Sequence, residues 1–170
     1  MLGGFLFIYI CQMIVDFQQL SDDAKVWIYP CSRKFYPQEL APINEKISSF
    51  MISWSESIEG DVSFQLLHER FIVFGVEEDV KITNKHLDEQ VAFILKLQLE
   101  YEVELLDKMN VCFKQGEFIQ YKDVKEFKKL LKNKSVNEKT IVFDNLVQTK
   151  YDLEHYWEVP ITDSWYNRFL

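Results

Sequence analysis

Glycine is scarce in this chain, and the scarcity already excludes one activity. Only five of the 170 residues are glycine: Gly3, Gly4, Gly60, Gly75 and Gly116, none of them followed by lysine. A phosphate-cradling loop of the form G-x-x-x-x-G-K-[ST] uses glycine so that backbone N–H groups can close around the phosphates, with the lysine reaching them. Neither that loop nor a Leu-Ser-Gly-Gly run occurs, so nucleotide hydrolysis by a P-loop mechanism is ruled out. Cysteine is equally sparse. Cys11, Cys31 and Cys112 make no C-x-x-C pair and no Cys/His spacing suited to zinc, so no metal site and no cofactor are expected. An odd, thin cysteine count fits a reducing compartment, and the expected location is the cytoplasm.

Basic charge is also in deficit. The formal net charge is −8, which argues against a nucleic-acid partner for the whole surface and against an anionic membrane. Long hydrophobic runs are missing except for Phe5 to Val15, and that stretch is too short to span a bilayer as a helix. It lacks the basic start and the small-residue cleavage site of a signal peptide, the first basic residue being Lys25. Residues 1–12 are therefore expected to be a non-native or disordered extension ahead of a start at Met13, with 13–170 forming one domain.

What the chain does have is apolar and aromatic bulk, 48% and 15% of residues respectively, with few Gly and Pro. That composition belongs to an ordered globule. Val26 to Tyr29 reads as a short strand ended by Pro30. Leu40, Ile43, Ile47, Phe50, Met51 and Trp54 then recur at three- and four-residue spacing, one face of a helix from Pro37 to about Ser55. Val62, Phe64 and Leu66 alternate with polar residues, and Phe71 to Val76 is apolar on both faces, so a hairpin turning at Leu67 to Arg70 is expected. Thr83 or Asn84 can cap a second helix reaching Tyr101, with Leu87, Val91, Ile94, Leu95 and Leu99 as its buried face. Met109 to Phe113 is a fourth strand. Asp123 caps a third helix with Val124, Phe127, Leu130 and Leu131 inward, and Thr140 to Phe143 is a last strand.

The order strand, helix, strand, strand, helix, strand is that of a ferredoxin-like βαββαβ sandwich, an α+β fold with an antiparallel sheet. A C-terminal helix, strand and aromatic tail extend it. The tail carries Tyr151, Tyr156, Trp157, Trp165, Tyr166 and Phe169, too much apolar surface to leave in water. The third helix and this tail are the expected cover for the open face of the sheet.

The segments Ala24-Lys-Val-Trp-Ile-Tyr, Arg70-Phe-Ile-Val-Phe, Thr140-Ile-Val-Phe-Asp-Asn-Leu-Val and Trp157-Glu-Val-Pro-Ile-Thr-Asp-Ser-Trp resemble a family of small cytoplasmic proteins of Bacteroidetes-type bacteria. Members of that family often carry the label "ABC transporter ATPase". The resemblance runs from about Met13 to Leu170 and implies no catalytic residues, while the label conflicts with the missing phosphate loop.

No catalytic constellation stands out. His68, His86 and His155 lie in separate segments, no serine sits in a G-x-S-x-G elbow, and Cys31 is a lone loop cysteine with basic neighbours. Between Lys122 and Lys139, seven lysines face three acids, which reads first as a solvated helix face. Two functional readings follow. The first is a non-enzymatic domain acting through protein contacts, as a homo-oligomer or with a protein partner. The alternative is an anion or metabolite binder, or an enzyme, with its site between the sheet and the C-terminal segment. Arg33, Asn145, Lys150 and Arg168 would supply its anion contacts, Trp157 or Trp165 an apolar wall, and Asp163 a further polar group.

Overall fold

The computed structural model describes residues 14–170; the expectations for residues 1–12, Met13 and Cys11 lie outside them. The fold is α+β, and the described residues form four α-helices and two antiparallel sheets. The first sheet holds β1 (Lys25–Pro30), β2 (Val62–Leu67) and β3 (Phe71–Val76) in the order β1-β3-β2. The second holds β4 (Val111–Gln115), β5 (Phe118–Lys122), β6 (Ile141–Phe143) and β7 (Glu158–Pro160) in the order β5-β4-β6-β7. The helices are α1 (Pro37–Ile58), α2 (Asn84–Tyr101), α3 (Val124–Lys132) and α4 (Lys150–Tyr156). Among the described residues no helix is long and apolar enough to cross a membrane.

The expected strand and helix order is present, but the strands do not share one sheet. In a ferredoxin-like arrangement β4 would lie beside β1. Here the start of that edge is taken by the segment before α4: Val26 N–H donates to Gln148 O at 3.0 Å and Lys150 N–H to Ala24 O at 2.9 Å. β4 instead folds back on β5 through a tight turn at Gly116, whose φ of 60° suits glycine. A short local hairpin closes at less entropic cost than a distant pairing.

β3 shows how the layers stack. Its alternate residues Ile72, Phe74 and Val76 pack with Ile43, Ile47, Met51 and Trp54 of α1 and with Ile94 and Leu97 of α2. Phe71 and Val73 face the other way, onto Phe143, Trp157 and Cys112 of the second half. The apolar run on both faces is thus satisfied by helices on one side and a second sheet on the other. Gly75 faces the same interior, where an added Cβ would stand 2.6 Å from Leu20 and 3.0 Å from Phe17. The N-terminal 3-10 turn Phe17–Gln19 therefore packs directly on the strand backbone.

The third helix and tail do form a cover, but over a different surface. Phe127 of α3, Val136, Ile161 and Tyr166 close the outer face of the second sheet against Val111, Phe113 and Val142. The second sheet itself covers the first. The tail is held from its first turn, since β7 pairs with β6 and Trp165 N–H donates to an Asp144 carboxylate oxygen at 2.8 Å.

The face of α2 also differs from expectation. Ile94 is buried as expected, but the rest of the buried face is Gln90 and Leu97, with Phe93 packed beside them. Val91, Leu95 and Leu99 are exposed, Leu99 to 70%. Two tertiary contacts set this rotation: Phe93 stacks on Phe50 of α1 at 4.3 Å, and Gln90 accepts from the Tyr29 hydroxyl at 2.5 Å.

Candidate functional site, a cleft between the two hairpins

The β2–β3 turn and the β4–β5 hairpin stand side by side, with the loop after β1 closing the third side. They enclose a cleft of about 810 Å³ lined by Arg33, His68, Arg70, Phe118, Ile119 and Tyr121 among others. The turn is conformationally costly. His68 and Glu69 have φ of 50° and 53°, and Arg70 N–H donates back to Leu67 O at 3.0 Å. Two successive left-handed residues make a hairpin turn that favours Asn-Gly, and an ordinary side chain there costs about 1 kcal/mol per residue.

The turn delivers Arg70 into the interior. Arg70 is only 5% exposed. One guanidinium nitrogen, Nη1, donates to Ile119 O at 2.6 Å, and Nη2 donates to Cys31 O at 3.0 Å. Its Nε is buried with no hydrogen-bond partner, and no carboxylate pairs with it among the described residues. Burial lowers its pKa below the ordinary arginine value, yet guanidinium stays charged at neutral pH. A buried cation supported only by carbonyl dipoles is an electrostatic cost to the fold.

Its neighbours are already engaged. Arg33 at the rim forms a two-point pair with Glu39, at 2.9 and 3.1 Å, and donates to Tyr101 O. That pair holds the Glu39 carboxyl below its usual range and raises Arg33. Lys34 pairs with Glu69 at 2.8 Å, both exposed. The Tyr121 hydroxyl accepts from Asn110 at 2.8 Å and donates to Glu104 at 3.1 Å, and burial raises its pKa. His68 leans over a buried aromatic group, 5.4 Å from Phe143 and 5.8 Å from Trp157 between ring centres, with Glu158 at 3.8 Å. Cys31 and Cys112 are free and fully buried. Burial raises the Cys31 thiol despite Arg33 and Arg70 nearby, and pushes Cys112 up to about 12. Neither thiol is poised as a nucleophile at neutral pH.

Of the seven residues singled out from sequence, Arg33 alone lines this cleft. Trp157 and Asn145 do meet, the indole N–H donating to Asn145 Oδ1 at 2.9 Å, but both are buried. Asn145 borders a separate cavity of about 640 Å³ with Lys25, Trp27 and Lys108. Lys150 is buried and donates to Gln18 O and Leu20 O at 3.1 and 2.7 Å, which pins the N-terminal turn. Arg168 stacks 3.9 Å over the Trp165 ring and donates to Trp165 O, a contact within the tail. Asp163 is exposed in a 3-10 turn. The expected anion contacts are thus mostly used as internal hydrogen bonds. Arg70 was missed because an arginine in a hairpin turn reads as solvated, and nothing in Glu69-Arg70-Phe71 signals that loops distant in sequence will bury it.

Compared with known proteins, the chain matches no family model, no curated sequence and no solved structure.

Proposed function

We propose that this domain binds a small organic anion in the cleft between its two hairpins, with Arg70 as the anchor. The observation that carries the reading is the buried guanidinium without a counter-charge. A carboxylate or phosphate entering the cleft supplies that charge in a low-dielectric site, where a charge-assisted hydrogen bond is strongest. Leu66, Phe118 and Ile119 offer an apolar wall for the body of the ligand, and the volume falls within the usual range of about 300–1,000 Å³ for small-molecule sites. The test is a thermal-shift screen of the full chain against carboxylates and phosphate esters. A ligand at about a hundred times its Kd should add about 2.7 kcal/mol of stability. The shift should vanish in Arg70→Met and shrink in Phe118→Ala, which alters an exposed ring and leaves the core intact. A screen with no shift, or a shift that survives both substitutions, defeats the reading.

A second reading, that the domain acts through protein contacts, is favoured by the α2 ridge. Val91, Leu95 and Leu99 are 44%, 41% and 70% exposed along one side of the helix. Antiparallel pairing with α2 of a second copy would cover them. One ridge buries less than the roughly 800 Å² per partner of a stable interface, so the dimer should be weak and reversible. Light scattering over a concentration series tests this: a strict monomer, or a dimer unchanged by Leu95→Glu, removes it.

A further inference from the structure

The outer layer of the second sheet carries a second candidate site, built from charge rather than from a buried anchor. Between Lys122 and Lys139 the chain has seven lysines against three acids, in a protein of net charge −8. None of the seven forms an ion pair among the described residues. Of the acids, Asp123 is used as the α3 N-cap, its carboxylate accepting from Glu126 N–H at 2.8 Å, and Glu138 is the one acidic side chain lining the groove between α3 and the C-terminal segment. Lys125 with Lys129, and Lys128 with Lys132, are like-charge neighbours one turn apart, which destabilises an isolated helix.

Four of these lysines have a shared geometry. Lys128, Lys132, Lys134 and Lys139 ring a groove of about 720 Å³, where α3 and the turn after it meet the C-terminal 3-10 helix Trp165–Phe169. Leu131, Val136 and Phe169 line the same groove. The Lys128 ammonium stands 4.5 Å over the Phe169 ring. Lys134 is held in the left-handed region, φ 64°, where glycine is favoured. The groove thus combines four ammonium groups that form no ion pair among the described residues, against the single acidic side chain of Glu138, with an apolar lining.

We propose that this groove binds an acidic peptide segment that carries a large apolar side chain between its carboxylates. The carboxylates meet the lysine ring and the apolar side chain meets Leu131, Val136 and Phe169. Nucleic acid fits less well. Lysines are point charges without the fork that reads bases, and Phe169 is the one aromatic ring among the groove's lining residues, too little for a run of bases to stack on. Electrostatic attraction of this kind speeds encounter and weakens with salt.

The full chain is titrated into fluorescein-labelled Glu-Glu-Leu-Phe-Glu-Glu and followed by fluorescence anisotropy. A Glu-Glu-Gly-Gly-Glu-Glu peptide and a thymidine oligonucleotide of equal charge serve as comparisons. The Leu-Phe peptide should bind about tenfold tighter than the Gly-Gly peptide, and weaken several-fold between about 50 and about 200 mM salt. Replacing Lys128, Lys132 and Lys134 together by Gln should weaken it about tenfold or more with the melting temperature unchanged, since all three side chains are exposed. Phe169→Ala should remove the preference for Leu-Phe. Equal binding of the two peptides reduces the groove to a non-specific charge patch and overturns the proposal. Tighter binding of the oligonucleotide, or self-association that the triple replacement abolishes, assigns the groove to a different occupant and overturns it too. Absence of binding does the same.

Discussion

Ending the chain after Glu158 should dissolve the outer layer of the protein while sparing its inner core. The cut removes Val159, Ile161 and Tyr166, all buried, with half-buried Trp165 and Phe169. Losing a buried Ile side chain costs about 2–5 kcal/mol and a buried aromatic about 3–5 kcal/mol. Ile161 and Tyr166 alone therefore approach the roughly 5–15 kcal/mol that stabilises a typical domain. The damage is local in origin, because Phe113, Phe127 and Val142 lose their cover, whereas the core around Trp54, Ile72 and Phe74 uses no residue beyond Leu106. Hydrogen exchange should show α3 and β6 unprotected and β3 still protected, with the truncated protein aggregating on heating. Single replacements sharpen the test. Tyr166→Ala should cost about 3–5 kcal/mol, while Tyr166→Phe keeps the ring and should cost less than about 1 kcal/mol. Trp165→Ala should cost less than Tyr166→Ala, because the Trp165 ring is only partly buried, beneath Arg168, whereas Tyr166 is buried. A truncated protein that melts cooperatively within a few degrees of the full chain would refute the account and make the tail an appendage.

Two further outcomes follow from the site and its surroundings. Replacing Glu69 by Gly relieves one left-handed residue while leaving His68 on its aromatic neighbours, and should raise stability by about 0.5–1 kcal/mol, because the exposed Lys34–Glu69 pair lost with it contributes at the low end of about 0–1 kcal/mol; a lower chemical-denaturation midpoint would contradict this. Stability should also fall as pH rises above about 8.5, where unfolded thiols begin to ionise. Burial raises Cys31, Cys112, Tyr29, Tyr121 and Tyr166, Cys112 to about 12, so the folded state holds protons that the unfolded state releases. Their stabilisation is complete below the unfolded pKa values and is lost through the folded ones. Urea midpoints from pH 7 upward should decline, and Cys112→Ala should flatten the decline; a flat profile in the parent protein contradicts the argument.

Local signals were legible where a single segment decides the outcome. The hairpin turn at Leu67 to Arg70, the Thr83 and Asp123 caps, and the inward face of α1 all depend on residues within one or two turns of each other. The α2 face was not, because that helix is apolar on two sides. Val91, Leu95 and Leu99 form as regular a stripe as Gln90, Ile94 and Leu97. Only the Phe50–Phe93 stack and the Tyr29–Gln90 hydrogen bond choose between them, and both partners come from other elements. Likewise β4 says that it is a strand but not which edge receives it, and the Gln148 to Lys150 segment that occupies the β1 edge lies more than thirty residues downstream.

Arg70 follows the same logic with charge in place of hydrophobicity. Its sequence context predicts a solvated turn, and the fold instead removes it from water between Cys31 and Ile119. A stable core alone does not explain why an unpaired cation sits there, since well-packed apolar residues of similar volume are often neutral or stabilising at such positions. The left-handed residues immediately before it add cost at the same corner of the fold. Two local rules broken side by side, at the wall of one cleft, are the observations on which the proposed anion site rests. The exposed α2 ridge breaks a rule of its own, but its cost falls away with any apolar cover. The cleft makes the more specific proposal of the two, because a buried guanidinium without a counter-charge selects for one ligand charge, whereas an apolar ridge accepts many covers.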